Sequence, residues 1–122
     1  MKVAVIMGSK SDYPKLEDGI KLLERFDVEV SVRALSAHRT PKQLVGLPIK
    51  SSTMDGLDSL LSIVQMPPGI PVATVTIDSG INAALMALQI ISIKYPKVKE
   101  DLVLYRKEME EKVLEDDKNL RG

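Results

Sequence analysis

Cysteine and tryptophan are absent from the sequence, and histidine occurs only once, as His38. Without cysteine the chain has no disulfides, no thiolate metal ligands and no cysteine nucleophile. A single histidine also leaves too few nitrogen ligands for a typical zinc site, so we expect no bound metal.

Neither sign of charge is in excess, because 17 Lys and Arg residues balance 17 Asp and Glu residues. A neutral chain has no broad basic field, so we expect no nucleic-acid partner, and any anion must be held by local geometry. Apolar runs are short, and none approaches the ~18 residues that span a bilayer. The first residues also lack the long apolar region of a signal peptide, so we expect no membrane association and a cytoplasmic location.

The 122 residues are enough for one compact domain, and the first third has the pattern of a βαβ unit. Residues 2–7 are an apolar run that predicts a parallel strand buried on both faces. Pro14 suits a first helical turn, and the apolar spacing after it predicts a helix, with Leu16, Ile20, Leu23 and Phe26 on one stripe. Valines alternate with polar residues over 28–32 and predict a half-exposed strand. The sequence therefore predicts an α/β fold with a doubly wound parallel sheet.

The connection after the second strand is too short for the crossover of a parallel sheet. Thr40, Pro41 and Gln43 have the pattern of a capped helix start, yet residues 46–49 already read as the next strand. A parallel crossover needs about a dozen or more residues. We therefore expect either a missing segment or an unusual connection at this point.

The pattern becomes regular again downstream. Apolar spacing predicts a short helix over 57–64, a strand over 70–77 and a buried helix over 81–91. Pro96 opens a last amphipathic helix over about 96–118, and we expect the end of the chain to be frayed. No linker or repeat divides the chain, so a single domain over 1–122 is predicted.

The first candidate functional segment is the turn over residues 8–12, between the first strand and the first helix. Helix N-termini hold phosphate groups, and ligands of open parallel sheets lie beyond the carboxyl ends of the strands. Gly8 permits close approach of a ligand to the backbone, Ser9 and Ser11 supply hydroxyl donors, and Asp12 is an acceptor for ribose hydroxyls. Taken alone, the turn is explained slightly better by Asp12 or Ser11 capping the helix.

The second candidate segment follows the second strand and contains His38 and Arg39. Histidine titrates near neutrality, so His38 can donate and recover a proton. Arg39 can hold a phosphate or carboxylate through its planar guanidinium group. For an isolated His-Arg pair, the better explanation is a histidine that caps the loop and an arginine on the surface. The convergence of two polar loops on one crevice nevertheless favours a site for a phosphorylated small molecule, with acid/base catalysis left open.

Three segments together resemble the PurE family, namely residues 7–12 (MGSKSD), 36–41 (SAHRTP) and 56–67 (GLDSLLSIVQMP). Residues 82–85 (NAAL) resemble it as well, and the match follows the family's order through nearly the whole chain. The resemblance implies a flavodoxin-like three-layer α/β sandwich with a parallel sheet, usually assembled as an octamer with sites between subunits. It also implies a cofactor-free step of de novo purine biosynthesis on an aminoimidazole ribonucleotide.

The resemblance also assigns roles to residues of both candidate segments. His38 is the general acid and base that protonates the carbamate nitrogen of N5-carboxyaminoimidazole ribonucleotide, so that carbon dioxide leaves and is captured by the ring carbon. Ser9, Asp12 and Arg39 hold the ribose phosphate. The further substrate-binding residues are Gly8, Ser11, Ser36 and Ala37.

Arginine after His38 resembles the class I mutases, whereas class II enzymes, which carboxylate aminoimidazole ribonucleotide directly, tend to have lysine there. The resemblance therefore favours a mutase, and a direct carboxylase is the alternative.

The chain departs from the family pattern at one place. Family members carry the rest of a helix, a strand, a Gly-Ala-rich loop that lines the site and another helix before the strand at Gly46. Here Val45 joins Gly46 directly, so roughly 30 or more residues, about one βαβ unit, are absent. The resemblance thus predicts a shortened fold, and a ribonucleotide-binding form with impaired turnover is a further alternative.

Overall fold

The computed structural model describes residues 1–34, 44–50 and 54–122. The chain divides into two compact units, Met1–Ala87 and Leu88–Gly122. Within the described ranges, no helix is long and apolar enough to span a bilayer. The single domain over 1–122 stays a prediction.

The first unit opens with the predicted βαβ arrangement. Strand β1 (Lys2–Met7) and strand β2 (Glu29–Ala34) pair in parallel, and helix α1 (Tyr13–Arg25) joins them. Pro14 lies in the first turn of α1, where its missing N–H costs nothing. The apolar stripe is buried at Ile20, Leu23 and Phe26. The predicted helix and the parallel pairing are confirmed, whereas β2 is more exposed than the half-exposed strand that was predicted, since Val30 alone in it is half-buried.

Burial of β1 differs from the prediction. Met7 is buried and Val3 and Val5 are half-buried, whereas Ala4 and Ile6 on the alternate face are exposed. The prediction of a strand buried on both faces is therefore wrong. Covering a second face requires a further crossover helix, and only nine residues separate β2 from the next strand, fewer than the dozen or so that a crossover needs.

A second parallel pair is formed by strand β3 (Leu44–Gly46) and strand β4 (Val72–Thr74). Helix α2 (Leu57–Val64) connects them as predicted. The strand predicted over 46–49 is instead β3, which ends at Gly46. Pro48 has no N–H to donate to a β-ladder, so the strand does not extend to it. The helix start predicted at Thr40 lies outside the described residues.

The described strands form two separate two-stranded sheets, β1–β2 and β3–β4. The short connection between β2 and β3 therefore joins two sheets and carries no crossover between hydrogen-bonded neighbours. This resolves the conflict seen in the sequence, since the crossover length applies to strands of one sheet.

Helix α3 (Gly80–Ser92) crosses the boundary between the units, and helix α4 (Pro96–Arg121) makes up most of the second unit. Val98 and Leu102 on α4 are buried. The expectation of a frayed end is wrong, because α4 continues to Arg121. An ion pair between Arg121 and Asp117, one turn earlier at 3.0 Å, supports this last turn.

Candidate functional site

The turn over residues 8–12 lies at the carboxyl end of β1 and runs directly into α1. Its side chains accept hydrogen bonds from its own backbone within a 3₁₀ turn: the Ser9 Oγ accepts from the Ser11 N–H at 3.3 Å, and the Asp12 carboxylate accepts from the Ser9 N–H at 3.3 Å. The Ser9 and Ser11 hydroxyls lie 2.9 Å apart. This reciprocal cap fixes the shape of the turn from its own residues.

Capping hydrogen bonds explain only some of the polar residues of this turn. Asp12 lies at the N-cap position of α1, yet its side chain makes no capping hydrogen bond to that helix. Gly8, Ser9 and Ser11 are exposed, and Asp12 is half-buried. A Cβ on Gly8 would meet no atom within 4 Å, so packing within the chain does not require glycine there. The turn thus presents two hydroxyls and a carboxylate at the amino end of α1.

The strand that precedes the second candidate segment in the sequence ends beside this turn. In the register of the first sheet Met7 pairs with Ala34, so β1 and β2 end side by side at one edge. The chain that leaves Ala34 leads to His38 and Arg39. Ser36, Ala37, His38 and Arg39 themselves lie outside the described residues, so their roles stay predictions.

Sequence reasoning missed one set of long-range contacts in the first unit, which Asp78 makes with Lys15 and Lys50. Asp78 has a left-handed backbone, with a φ of 62°. One carboxylate oxygen accepts from the Lys50 N–H at 2.7 Å, and the other accepts from the Lys15 Nζ at 3.0 Å. The Lys50 N–H foremost, and then the Lys15 ammonium, hold the pKa of Asp78 below its ordinary value, and partial burial opposes them.

The sequence carried only a weak signal for these contacts of Asp78. Lys15 and Lys50 are 63 and 28 positions away from Asp78, beyond the reach of any local pattern. The available signal was an aspartate at the end of a β-branched run and close before Gly80. Aspartate is one of the few residue types that tolerate a left-handed turn. In the described ranges, no group of three or more His, Cys, Asp or Glu side chains is arranged to hold a metal ion.

Comparison with known proteins places the chain in a family. The sequence profile of a family described as AIR carboxylase matches the chain in two segments, residues 2–46 and 43–112. The N5-carboxyaminoimidazole ribonucleotide mutase of Pyrococcus abyssi is 46% identical over 145 aligned residues, which cover 88% of this chain and 83% of the relative. The enzyme of the same name from Pyrococcus horikoshii is 43% identical over 155 residues, covering 97% and 88%.

These alignments are longer than the 122 residues of the chain, so the relatives carry residues that this chain lacks. The profile match breaks at residues 43–46, which is where the sequence predicts a missing segment.

Solved structures show the same relationship at the level of the fold. The crystal structure of a Treponema denticola PurE2 variant has a TM-score of 0.84 and 25% identity, covering 99% of this chain and 98% of that one. Treponema denticola PurE has a TM-score of 0.81 and 25% identity, with 99% of each chain covered. The predicted flavodoxin-like α/β fold is confirmed by these neighbours. With the profile match and the relatives above, they show that the chain belongs to the AIR carboxylase, or PurE, family.

Proposed function

We propose that this chain transfers the carboxylate of N5-carboxyaminoimidazole ribonucleotide from N5 to the ring carbon C4, a step of de novo purine biosynthesis. The observation that carries the proposal is the family match over residues 2–46, which contain both candidate segments, and over residues 43–112. Relatives that are 46% and 43% identical bear the name of this mutase.

The turn over residues 8–12 is the proposed anchor for the ribose phosphate. Exposed Ser9 and Ser11 hydroxyls are groups that bind a phosphate, because a hydroxyl donates a hydrogen bond to its oxygens. The Asp12 carboxylate repels phosphate and suits ribose hydroxyls instead. Arg39 is the proposed cationic partner of the phosphate, and Gly8, Ser36 and Ala37 are proposed to line the same pocket.

His38 is the proposed proton carrier. Its imidazolium gives a proton to the carbamate nitrogen, the bond between that nitrogen and the carboxyl carbon breaks, and carbon dioxide is released within the pocket. The electron-rich C4 then attacks carbon dioxide, and the proton on C4 passes to the neutral imidazole, which restores the starting state. The cycle needs one residue that titrates near neutrality, a fixed orientation and exclusion of water. We therefore propose that no cofactor takes part.

A second candidate function is ribonucleotide binding without turnover. It is favoured by the break in the family match at residues 43–46 and by alignments longer than the chain. The absent residues include, by resemblance, a loop that lines the site. This candidate predicts a measurable affinity for aminoimidazole ribonucleotide and no product.

We further propose that the chain assembles with copies of itself. Helix α2 supports this, because Leu57, Leu61 and Val64 recur on one face and are 43%, 41% and 51% exposed. Exposed apolar stripes of this kind are typical of association surfaces. An octamer is the form expected from the family. A cytoplasmic location likewise stays a prediction, which fractionation of cells expressing the chain would test.

Two parallel incubations of the purified chain test the proposed function, with its intact mass measured first. One contains N5-carboxyaminoimidazole ribonucleotide, and the other contains aminoimidazole ribonucleotide with bicarbonate. We expect the C4-carboxylated product to form from the first substrate faster than without enzyme. Enzymatic product from the second incubation alone would identify a direct carboxylase, and binding without product in either would identify the second candidate.

A further inference from the structure

Three segments of the first unit meet at Asp78. Its N–H donates to the Pro48 carbonyl at 2.9 Å, and its carboxylate accepts from the Lys50 N–H at 2.7 Å. These two bonds hold the chain that leaves β3, just before the hydroxyl-rich residues 51–53. The second carboxylate oxygen accepts from the Lys15 Nζ at 3.0 Å. This bond connects the segment that follows β3, through Asp78, to the start of α1.

The start of α1 is also held by close backbone packing. A Cβ on Gly19 would overlap the Gly80 carbonyl group, and a Cβ on Gly80 would lie 2.6 Å from the Lys15 carbonyl oxygen. The backbone of α1 therefore contacts the backbone of Gly80, two residues after Asp78, with no side chain between them. Lys15 lies within one turn of Asp12, so the same contacts fix the end of α1 that carries the turn over residues 8–12.

The backbone of Asp78 explains why an acidic residue suits this position. Its φ of 62° lies in the left-handed region, which aspartate and asparagine adopt more readily than most residues. Only an ionised carboxylate accepts from the Lys50 amide on one oxygen and pairs with the Lys15 ammonium on the other. The side chain is 21% exposed, so water competes only in part for these bonds.

We propose that Asp78 is a positioning residue for the ribonucleotide site, which sets the turn over residues 8–12 at a fixed distance from the chain leaving β3. Asp78 acts through Lys15 and Lys50 and does not itself touch the substrate. The expected effect of Asp78 on ribonucleotide binding rests on the proposed function. Its expected effect on the order of the turn over residues 8–12 does not.

Amide hydrogen exchange tests the structural part without any substrate. In D78A we expect the amides of Ser11 and Asp12 to exchange about tenfold faster, as local opening becomes easier. Amides in the middle of α4 serve as an internal control and should keep their rates. Unchanged rates at the turn would overturn the proposal.

Lys15→Met is the second variant, in case D78A fails to fold. It removes the ion pair and leaves the left-handed backbone and the Lys50 bond in place. Lys21→Met is its matched control, because Lys21 lies on the same helix and pairs with Glu17 at 3.3 Å on the surface. We expect faster exchange at the turn in K15M and no change in K21M. Equal rates in the two variants would also overturn the proposal.

Ribonucleotide affinity tests the consequence for binding. D78A is expected to raise the Kd about tenfold. D78N is expected to restore only part of the affinity: its amide oxygen accepts from the Lys50 N–H and asparagine tolerates the left-handed backbone, whereas its NH2 group cannot accept from the Lys15 ammonium. A Kd in D78A equal to that of the parent chain would contradict the positioning role. If the parent chain binds no ribonucleotide, the proposed function fails, and hydrogen exchange alone decides the role of Asp78 in the turn.

Discussion

At the scale of single residues, the charge state of Asp78 connects the candidate site to pH. The Lys50 N–H and then the Lys15 ammonium hold the pKa of its carboxyl below the ordinary value of 3.8. A carboxyl with a lowered folded-state pKa stabilises the fold at pH values above its unfolded-state pKa. That contribution is lost as the pH falls through the folded-state pKa.

Asp78→Asn is therefore expected to lower the free energy of unfolding at pH 7 by about 1 kcal/mol, since a charge-assisted bond becomes a neutral one. The difference from the parent chain should shrink as the pH falls below 3.8, because the carboxyl of the unfolded parent chain then takes up a proton before that of the folded chain does. Urea unfolding of both chains between pH 7 and pH 3 measures this. A difference that stays constant over the whole range would contradict the assignment.

Gly19→Ala tests the contact between α1 and Gly80. Alanine is the better helix former, but its Cβ would overlap the Gly80 carbonyl group. We expect a loss of about 1–3 kcal/mol in the free energy of unfolding, as is usual for overpacking. Gly8→Ala is the matched control for stability, because a Cβ there meets nothing within 4 Å. Equal stability of the two variants would show that the contact is not tight.

Residue-level prediction from the sequence succeeded for local geometry and failed for long-range partners. The turn over residues 8–12 was recognisable because glycine, hydroxyls and an acidic residue are adjacent in the chain. Asp78 was missed because it joins Lys15 and Lys50 from distant parts of the sequence. The roles of His38 and Arg39 come from the family resemblance, since an isolated His-Arg pair carries little information.

At the scale of elements, the 3.6-residue period predicted α1 and α2 well, because their apolar positions are regularly spaced. The position of β3 was predicted less well, because the apolar run 46–49 includes Pro48, which cannot donate to a ladder. The exposure of one β1 face and of the α2 stripe was not predictable from either element alone. Burial depends on which other layers are present, and the sequence of one strand or helix does not contain that information.

The reciprocal cap over residues 9–12 gives a prediction for one element. Ser9→Ala removes the acceptor of the Ser11 N–H, and we expect it to lower the free energy of unfolding by about 1 kcal/mol. Ser62→Ala is the matched control: the Ser62 Oγ donates back to the Asp58 carbonyl within α2, a bond that adds little to helix stability. Urea denaturation compares the two. A larger loss in S62A than in S9A would contradict the proposed cap.

At the scale of the whole molecule, the break between the two sheets and the interruption of the family profile lie at the same place in the chain. The β1–β2 and β3–β4 pairs are separate in the described structure, and the family profile is interrupted at residues 43–46. A shortened connection leaves the flavodoxin-like fold recognisable, with a TM-score of 0.84 to a solved member of the family. Apolar side chains on α2 are exposed in the described structure, and the proposed self-association would cover them.

Leu61→Glu tests the association surface on α2. A carboxylate in the middle of the exposed stripe of Leu57, Leu61 and Val64 is costly to bury in an interface. We expect light scattering after size-exclusion chromatography to show a smaller assembly than that of the parent chain. Ser62→Glu, at an exposed polar position of the same helix, should leave the mass unchanged. An unchanged mass in L61E would exclude this face as an interface.

The central claim is that one imidazole, His38, carries the proton in carboxylate transfer at a site that binds the ribonucleotide. The most direct measurement compares the parent chain with His38→Asn, recording both ribonucleotide affinity and the rate of C4-carboxylated product formation. The account predicts a similar Kd in both chains and a loss of turnover of about a thousandfold or more in H38N, as for removal of a general acid and base. Turnover in H38N equal to that of the parent chain would contradict the account.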